Sequence, residues 1–233
     1  AEIACLKTAA LIADAAYEAL MRACVPGNTE LQAAAAAYQA AHSEGAEAVP
    51  FIVFGSGSRS DSIVGRPTEK VLELGDMVMA ALAVQYEGYI ATVEFPFVVG
   101  QDPVGAQRDL IDTLIRAEAA GLDKLAPGKP AREFVKAVRD YFREADLAQY
   151  DVYSPLHGCG CAEAESPYPD EHSTLVFEPG MTVNTDISLF GHPGGGNRVE
   201  EGFVITEDGV EPMSPLVRKL SQEWLDTGRI SIG

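Results

Sequence analysis

The same order of sequence elements occurs twice along this chain of 233 residues. In each half, two segments with apolar residues at helical spacing are separated by a Pro-Gly break, at Pro26-Gly27 and at Pro127-Gly128. Each half then continues into strand-like segments that open at a glycine, Gly75 or Gly180. The two breaks lie 101 residues apart and the two glycines 105 apart. Such near-equal offsets indicate an internal duplication.

The chain is long and apolar enough to bury a full core. Its residues are 47% hydrophobic and 22% charged, so we expect one domain built of two halves, about 1–103 and 104–233. Helical and strand-like segments alternate in both halves, which predicts an α/β (α+β) fold. The first residue is not Met and lies inside a helical pattern. We therefore expect an additional N-terminal domain upstream of this chain.

The charge balance limits the class of partner. The chain has 35 acidic and 17 basic residues and a net charge of −18, with no basic stripe for phosphates, which argues against nucleic acid. No apolar run is long enough to span a bilayer, so no membrane is expected. Four cysteines do not make a disulfide framework in a chain of this length. A cytoplasmic protein that acts on a small-molecule or short-peptide substrate is predicted.

Three acid–base residues in the second half form a candidate site. His157, Asp186 and Glu200 each end a short apolar or Gly-rich stretch, and a histidine with two carboxylates on separate strands is typical of a hard-metal or general-base site. Asp186 lies six residues after its glycine. The residue six after Gly75 in the first half is Ala81. The duplication therefore predicts that a carboxylate is missing from the first half.

Several motifs, taken in order, resemble one known fold. They are Gly75-Asp76-Met77-Val78, His157-Gly158-Cys159-Gly160 followed by Glu165-Ser166-Pro167, Glu178-Pro179-Gly180-Met181, and Val199-Glu200-Glu201. Together they resemble the pita-bread fold of creatinase, prolidase, aminopeptidase P and methionine aminopeptidase. The resemblance covers essentially the whole chain. It implies a curved antiparallel sheet, covered by helices, with an internal pseudo-twofold duplication.

The resemblance also implies which residues would hold metal. In the peptidases of this family, two Asp, one His and two Glu bind two metal ions. The His and the two Glu positions match His157, Asp186 and Glu200, but the two Asp positions fall on Ala81 and Thr92. The resemblance therefore implies no metal ion, or one divalent transition metal ion (Mn, Fe, Co or Zn), rather than a pair.

Glu94 points to creatinase, the member of the family that works without metal. It lies two residues after Thr92, so both side chains face the same side of a strand. Creatinase has a Glu at this position, where it helps to hold a cationic substrate, and another that matches Glu200. Its general-base histidine matches Val64 here, so the resemblance implies a different small substrate than creatine.

These residues predict a creatinase- or aminopeptidase P-like hydrolase that cleaves a C–N bond in a small amide, amidino or Xaa-Pro-like compound. Water would be the nucleophile, His157, Glu200 and Glu94 the catalytic groups, and the first two with Asp186 the ligands of a single ion. Glu94 could instead anchor a cationic substrate. His192, in a turn between Asp186 and Glu200, is a further candidate substrate-binding residue.

Other features leave alternatives open. Arg59, in a Ser-rich loop, or Arg66 at the end of that loop could clamp a substrate carboxylate. Cys159 and Cys161 are either thiolate metal ligands, or a nucleophile, or small apolar residues. The rival of a different class is a catalytically inactive pseudo-peptidase that keeps its cleft as a binding module. A homodimer is expected in either case.

Overall fold

The computed structural model describes residues 1–230, in which five helices surround eight strands. The helices are α1 (Glu2–Ala23), α2 (Glu30–Ser43), α3 (Ala106–Leu122), α4 (Ala131–Glu144) and α5 (Pro215–Thr227). The strands are β1 (Ala48–Ser56), β2 (Met77–Tyr86), β3 (Tyr89–Glu94), β4 (Phe97–Val98), β5 (Leu156–Gly158), β6 (Thr182–His192), β7 (Gly195–Ile205) and β8 (Val210–Pro212). Short 3-10 turns lie at Gly57–Arg59 and Ala148–Tyr150.

All eight strands belong to one antiparallel sheet. Its main path runs β1-β2-β3-β7-β6-β5, while β4 pairs with β2 and β8 with β7. Strands β3 and β7, one from each half of the chain, meet at the centre, where Glu94 is the register partner of Glu200. The predicted mixed fold, with helices covering an antiparallel sheet, is confirmed. The same register places acidic residues of both halves side by side.

Local sequence signals mark the start of α2 and the turn before it. Before α2, the Thr29 hydroxyl accepts the backbone N–H of Gln32, and the Gln32 side chain accepts the N–H of Thr29, which is a capping box. Gly27, in the first Pro-Gly break, has a φ of +97°, a conformation that favours glycine. The break therefore turns the chain from α1 into α2 without backbone strain.

Side chains alternate between the two faces of the sheet. On one face, apolar residues pack under the helices in a single large core; its strand members include Leu82, Val93, Val199 and Phe203. On the other face, the central strands carry polar residues that are nonetheless almost fully buried; these include Thr92, Glu94, Asn184, Asp186 and Glu200. This polar face is the floor of the candidate site.

A second buried polar cluster lies on the helical side of the sheet. Arg218 of α5 forms ion pairs with Glu118 of α3 and Glu201 of β7, whose side chains are 1% and 0% exposed. The Thr185 hydroxyl donates to Glu118 at 2.9 Å. The cluster ties α3 and α5 to the strand that carries Glu200. Throughout residues 1–230, no helix is long and apolar enough to cross a membrane.

Candidate active site

The central strands bring the predicted site residues together on one face. Glu200 is the register partner of Glu94 on β3 and of Asp186 on β6. Asn184 and Arg198 lie two positions from Asp186 and Glu200 on the same strands, so they face the same side. The face thus combines residues from both halves of the chain.

His157 faces two carboxylates with one ring nitrogen. Its Nδ1 lies 2.9 Å from the carbonyl oxygen of Gly158, so Nδ1 carries a proton and Nε2 is left with a lone pair in the neutral ring. Nε2 lies 4.0 Å from Oε1 of Glu163 and 4.0 Å from Oε1 of Glu200. A lone pair aimed at two acids is favourable only with a proton or a cation between them.

These three side chains form a group that could hold one metal ion. Donor atoms of His157, Glu163 and Glu200 all lie within 4.8 Å of one another, and a histidine with two carboxylates is an accepted set for one transition metal. The two-metal set implied by the resemblance does not fit, because Ala81 and Thr92 offer no carboxylate. Nor does Asp186 belong to the group of three, so Glu163 replaces it in the predicted ligand set.

Asp186 is engaged by Arg198 instead. The Nη1 atom of Arg198 lies 3.7 Å from Asp186, and its Nε lies 2.8 Å from Oε2 of Glu94. The Tyr153 hydroxyl donates to Asp186 at 3.1 Å. The Arg198–Glu94 contact is an ion pair rather than an aligned hydrogen bond, since neither atom has a hydrogen-bond partner. The side chain of Asp186, one methylene shorter than the Glu implied by the resemblance, is thus held beside Arg198 rather than beside His157.

Burial shifts the protonation of the acids at the floor. It raises the pKa of Glu94 to about 8, although Arg198 opposes the shift. Burial, reinforced by Asp186, raises the pKa of Glu200 well above its usual value. Burial also raises the pKa of Glu163, against the opposing effect of His157. Carboxyl groups with raised pKa values are suited to take up and release a proton near neutrality.

A cleft of about 680 Å³ opens above this floor. Glu163, Glu200 and Arg198 line its inner end, and Arg66 lies exposed on its rim. Apolar side chains form much of the wall: Leu31, Tyr38, Phe51, Val53, Val64 and Pro67. A ligand with an apolar part and a polar or charged group would therefore find complementary surface.

The predicted substrate-binding residues lie in three different environments. Glu94 is fully buried at the floor and paired with Arg198, and its side chain is not among those that line the cleft. Arg59 donates to Glu30 of α2, at 2.5 Å, and to Thr68, so its guanidinium is already engaged inside the protein. His192 lines a separate pocket of about 320 Å³ and packs edge-on against Tyr150. We therefore leave all three out of the substrate contacts proposed below.

Sequence reasoning missed two residues at the floor. Arg198 is two residues before Glu200, and that spacing on a strand could have placed both on one face. Glu163 lies outside the strands, in the loop after β5, and no periodic signal points to it. Neither cysteine of this segment belongs to the group of possible metal ligands. Cys159 is buried, which raises the pKa of its thiol to about 12, and Cys161 is exposed.

Comparison with known proteins identifies relatives along most of the chain. Residues 4–207 match the model of metallopeptidase family M24. The chain is 31% identical over 209 residues to the uncharacterized peptidase YqhT of Bacillus subtilis, covering 89% of this chain and 59% of that protein. It is 28% identical over 220 residues to the Xaa-Pro dipeptidase of Pyrococcus furiosus, covering 94% and 63%. The chain thus spans about three fifths of the length of these relatives.

Solved structures agree with the sequence relatives. The prolidase from Pyrococcus furiosus superposes with a TM-score of 0.86 at 28% identity, covering 91% of this chain and 63% of that one. The dipeptidase PepE from Mycobacterium ulcerans gives a TM-score of 0.86 at 29% identity, covering 91% and 57%. The pita-bread fold predicted from the motifs is confirmed by these matches.

Proposed function

This chain belongs to metallopeptidase family M24, and from that premise we propose that it is a hydrolase of the Xaa-Pro peptidase type that cleaves a C–N bond in a short peptide or a related small amide. The observation that carries the proposal is the convergence of His157, Glu163 and Glu200, of which Glu163 and Glu200 line an open cleft. Named relatives include Xaa-Pro dipeptidases and dipeptidases, which supports a substrate of this size.

In this proposal His157, Glu163 and Glu200 would hold one divalent transition metal ion (Mn, Fe, Co or Zn). Such an ion would lower the pKa of a water molecule at the site. Glu200 accepts the proton of the attacking water, because its carboxyl group lies at the floor in the donor group and a cation held there would keep it ionised. The Asn184 amide donates to Oε1 of Glu200 at 2.6 Å, which orients the carboxyl group. The second carboxyl oxygen of Glu200 is left to accept the proton of the attacking water.

The rival proposal is a binding module that has lost catalysis. The observation in its favour is that Ala81 and Thr92 stand where the resemblance places two metal ligands, while Arg198 engages two of the remaining acids. Retention of three clustered donors favours the hydrolase. The homodimer stays a prediction under both proposals.

Metal removal and return should separate the two proposals. Chelator-treated protein is expected to hydrolyse a panel of dipeptides only after Mn²⁺, Co²⁺ or Zn²⁺ is returned, with activity saturating at about one ion per chain.

Glu163→Gln should weaken metal binding by at least about tenfold, measured by calorimetric titration. Glu165→Gln is the matched control, because Glu165 lies in the same loop but outside the donor group. If the protein neither hydrolysed these dipeptides nor bound metal, that result would favour the binding module.

Arg66 gives the cleft a candidate carboxylate anchor. Among residues 1–230, no ion pair joins its guanidinium to an acid, whereas that of Arg59 is taken by Glu30. Arg59 Nη2 also donates to the backbone carbonyl of Arg66 at 3.1 Å, which holds the end of the loop beside the cleft. We propose that Arg66 binds the terminal carboxylate of the substrate.

Replacing this anchor should change affinity rather than chemistry. Arg66→Gln is expected to raise KM for dipeptides with a free carboxylate by about 10- to 100-fold, because a charge-assisted hydrogen bond contributes about 1.5–3 kcal/mol. The kcat should stay near that of the wild type. Carboxyl-amidated substrates are the control, since their KM should not respond. Equal effects on both substrate forms would show that Arg66 does not bind the carboxylate.

A further inference from the structure

A single buried carboxylate contacts the segment that forms one rim of the cleft. This rim segment, residues 56–68, begins at the last residue of β1 and carries Val64 and Arg66 of the cleft wall. Glu30, the first residue of α2, contacts both ends of the rim segment and is 0% exposed. Burying a carboxylate is costly unless hydrogen bonds or a cation compensate it. The partners of Glu30 therefore show what it holds in place.

Both oxygens of Glu30 accept hydrogen bonds from the rim segment. Its Oε1 accepts from the backbone N–H of Ser56 at 3.0 Å and from the hydroxyl of the same residue at 2.8 Å. Its Oε2 accepts from the backbone N–H of Thr68 at 2.9 Å, from the Thr68 hydroxyl at 2.8 Å, and from Nη1 of Arg59 at 2.5 Å. The two ends of the rim segment thus share one acceptor group, which closes the segment into a loop.

The same carboxylate is linked to Arg66 through Arg59. Nη1 of Arg59 pairs with Glu30, and Nη2 of the same guanidinium donates to the carbonyl oxygen of Arg66 at 3.1 Å. Because a guanidinium is planar and rigid, it fixes the position of one partner relative to the other. The neighbouring carbonyl, that of Gly65, accepts the backbone N–H of Phe54 at 2.9 Å. Two successive carbonyl groups are therefore held in place beside the cleft that the Arg66 side chain lines.

We propose that Glu30 is a positioning residue for substrate binding: it holds the rim segment closed through Arg59 and Thr68, and so keeps Arg66 where it can bind the substrate carboxylate. The inference deepens the proposed function and rests on it for the role of Arg66. Glu30 is fully buried and is not among the residues that line the cleft, so it does not touch the substrate itself. Its effect is expected on affinity and not on the chemical step.

An amide of the same shape cannot replace this carboxylate. Each oxygen of Glu30 accepts a backbone N–H, from Ser56 on one side and from Thr68 on the other. A glutamine side chain offers one oxygen and one NH₂ group, so either orientation of the amide places two donors against each other. One end of the rim segment is then expected to detach, because a buried donor without an acceptor is destabilising.

Steady-state kinetics of matched variants test the inference. Glu30→Gln should raise KM for dipeptides with a free carboxylate by about tenfold or more and change kcat by less than about twofold. Adding Arg66→Gln should give the KM of Arg66→Gln alone, because both substitutions act on one contact. Glu69→Gln, the same chemical change at an exposed acid just after the rim segment, is the control and should leave KM unchanged. A loss of kcat without a rise in KM, or additive effects of Glu30→Gln and Arg66→Gln, would overturn the inference.

Hydrogen exchange tests the inference without turnover. In Glu30→Gln the backbone amides of residues 56–68 should exchange at least about tenfold faster than in the wild type, whereas those of β6 and β7 should not change. Thr68→Val removes one donor to Glu30, should speed exchange in the same segment, and covers the case in which Glu30→Gln does not fold. Unchanged exchange in residues 56–68 of the folded variants would overturn the inference. A wild type without turnover would instead count against the proposed function.

Discussion

Replacing Glu200 with glutamine is expected to lower kcat by about 10²- to 10⁴-fold, the usual contribution of general acid–base catalysis, while the protein stays folded. The carboxyl group is 1% exposed, and burial raises its pKa well above the usual value. A neutral amide of the same shape can therefore be buried at this position without the desolvation cost of a charge. The Gln oxygen can still accept the 2.6 Å hydrogen bond from Asn184, so the orientation of the side chain is preserved.

The measurement is turnover of the best dipeptide substrate together with thermal unfolding and circular dichroism. Glu178→Gln is the matched control, because it makes the same chemical change at an exposed acid in the turn before β6, and it should leave both turnover and stability unchanged. If Glu200→Gln kept wild-type turnover with a native spectrum, Glu200 would not be the base. Loss of the folded spectrum would show instead that the residue is needed for stability.

Replacing Arg218 with methionine is expected to lower the free energy of unfolding by about 3–5 kcal/mol, the cost of leaving a buried charge without its partner. Arg218 is the basic partner of Glu118 and Glu201, which are almost fully buried behind the sheet. Its guanidinium also packs over the Phe203 ring at 5.6 Å. Methionine fills part of the volume but compensates neither acid.

The free energy of unfolding lost in Arg218→Met should be larger at high pH than at low pH. Burial raises the pKa of Glu201 well above its usual value, and Arg218 opposes that shift. Without Arg218, the folded protein holds a proton on Glu201 more tightly than the unfolded chain does. Stability from the neutral acid is present at low pH and is lost as pH rises through the folded-state pKa. Arg218→Met should therefore be less destabilising at about pH 5 than at about pH 8.

Urea unfolding at both pH values gives the two free energies. Arg116→Met is the matched control, because Arg116 forms an exposed i,i+4 ion pair with Asp112 at 2.8 Å, and such pairs contribute about 0.3–0.5 kcal/mol. Adding Glu201→Gln to Arg218→Met should restore part of the loss. Similar effects of the two Arg→Met substitutions would show that the buried cluster does not stabilise the fold.

Local sequence patterns predicted the mixed fold and its turns, and the family resemblance implied the antiparallel sheet. The Pro-Gly breaks, the helix start at Thr29 and the glycines before β2 and β6 act within a few residues of their own positions, and the structure follows them. Alternation along β3 also placed Thr92 and Glu94 on one face. The duplication made it possible to see that Ala81 lacks the carboxylate present at Asp186. Each of these conclusions depends on short-range geometry.

The partners of the acids were decided only by the tertiary structure. Asp186 was expected to be a metal ligand and Glu94 to face substrate, yet both contact Arg198, and the loop residue Glu163 stands beside His157. These contacts depend on the register between strands from opposite halves and on the path of a loop, which no local pattern specifies. The sequence by itself determined the mixed fold, and with the resemblance it predicted that Ala81 and Thr92 stand where two metal ligands would be. How the remaining charges pair was decided when folding brought them together, because a buried carboxylate is stabilised by whichever cation the packing places beside it.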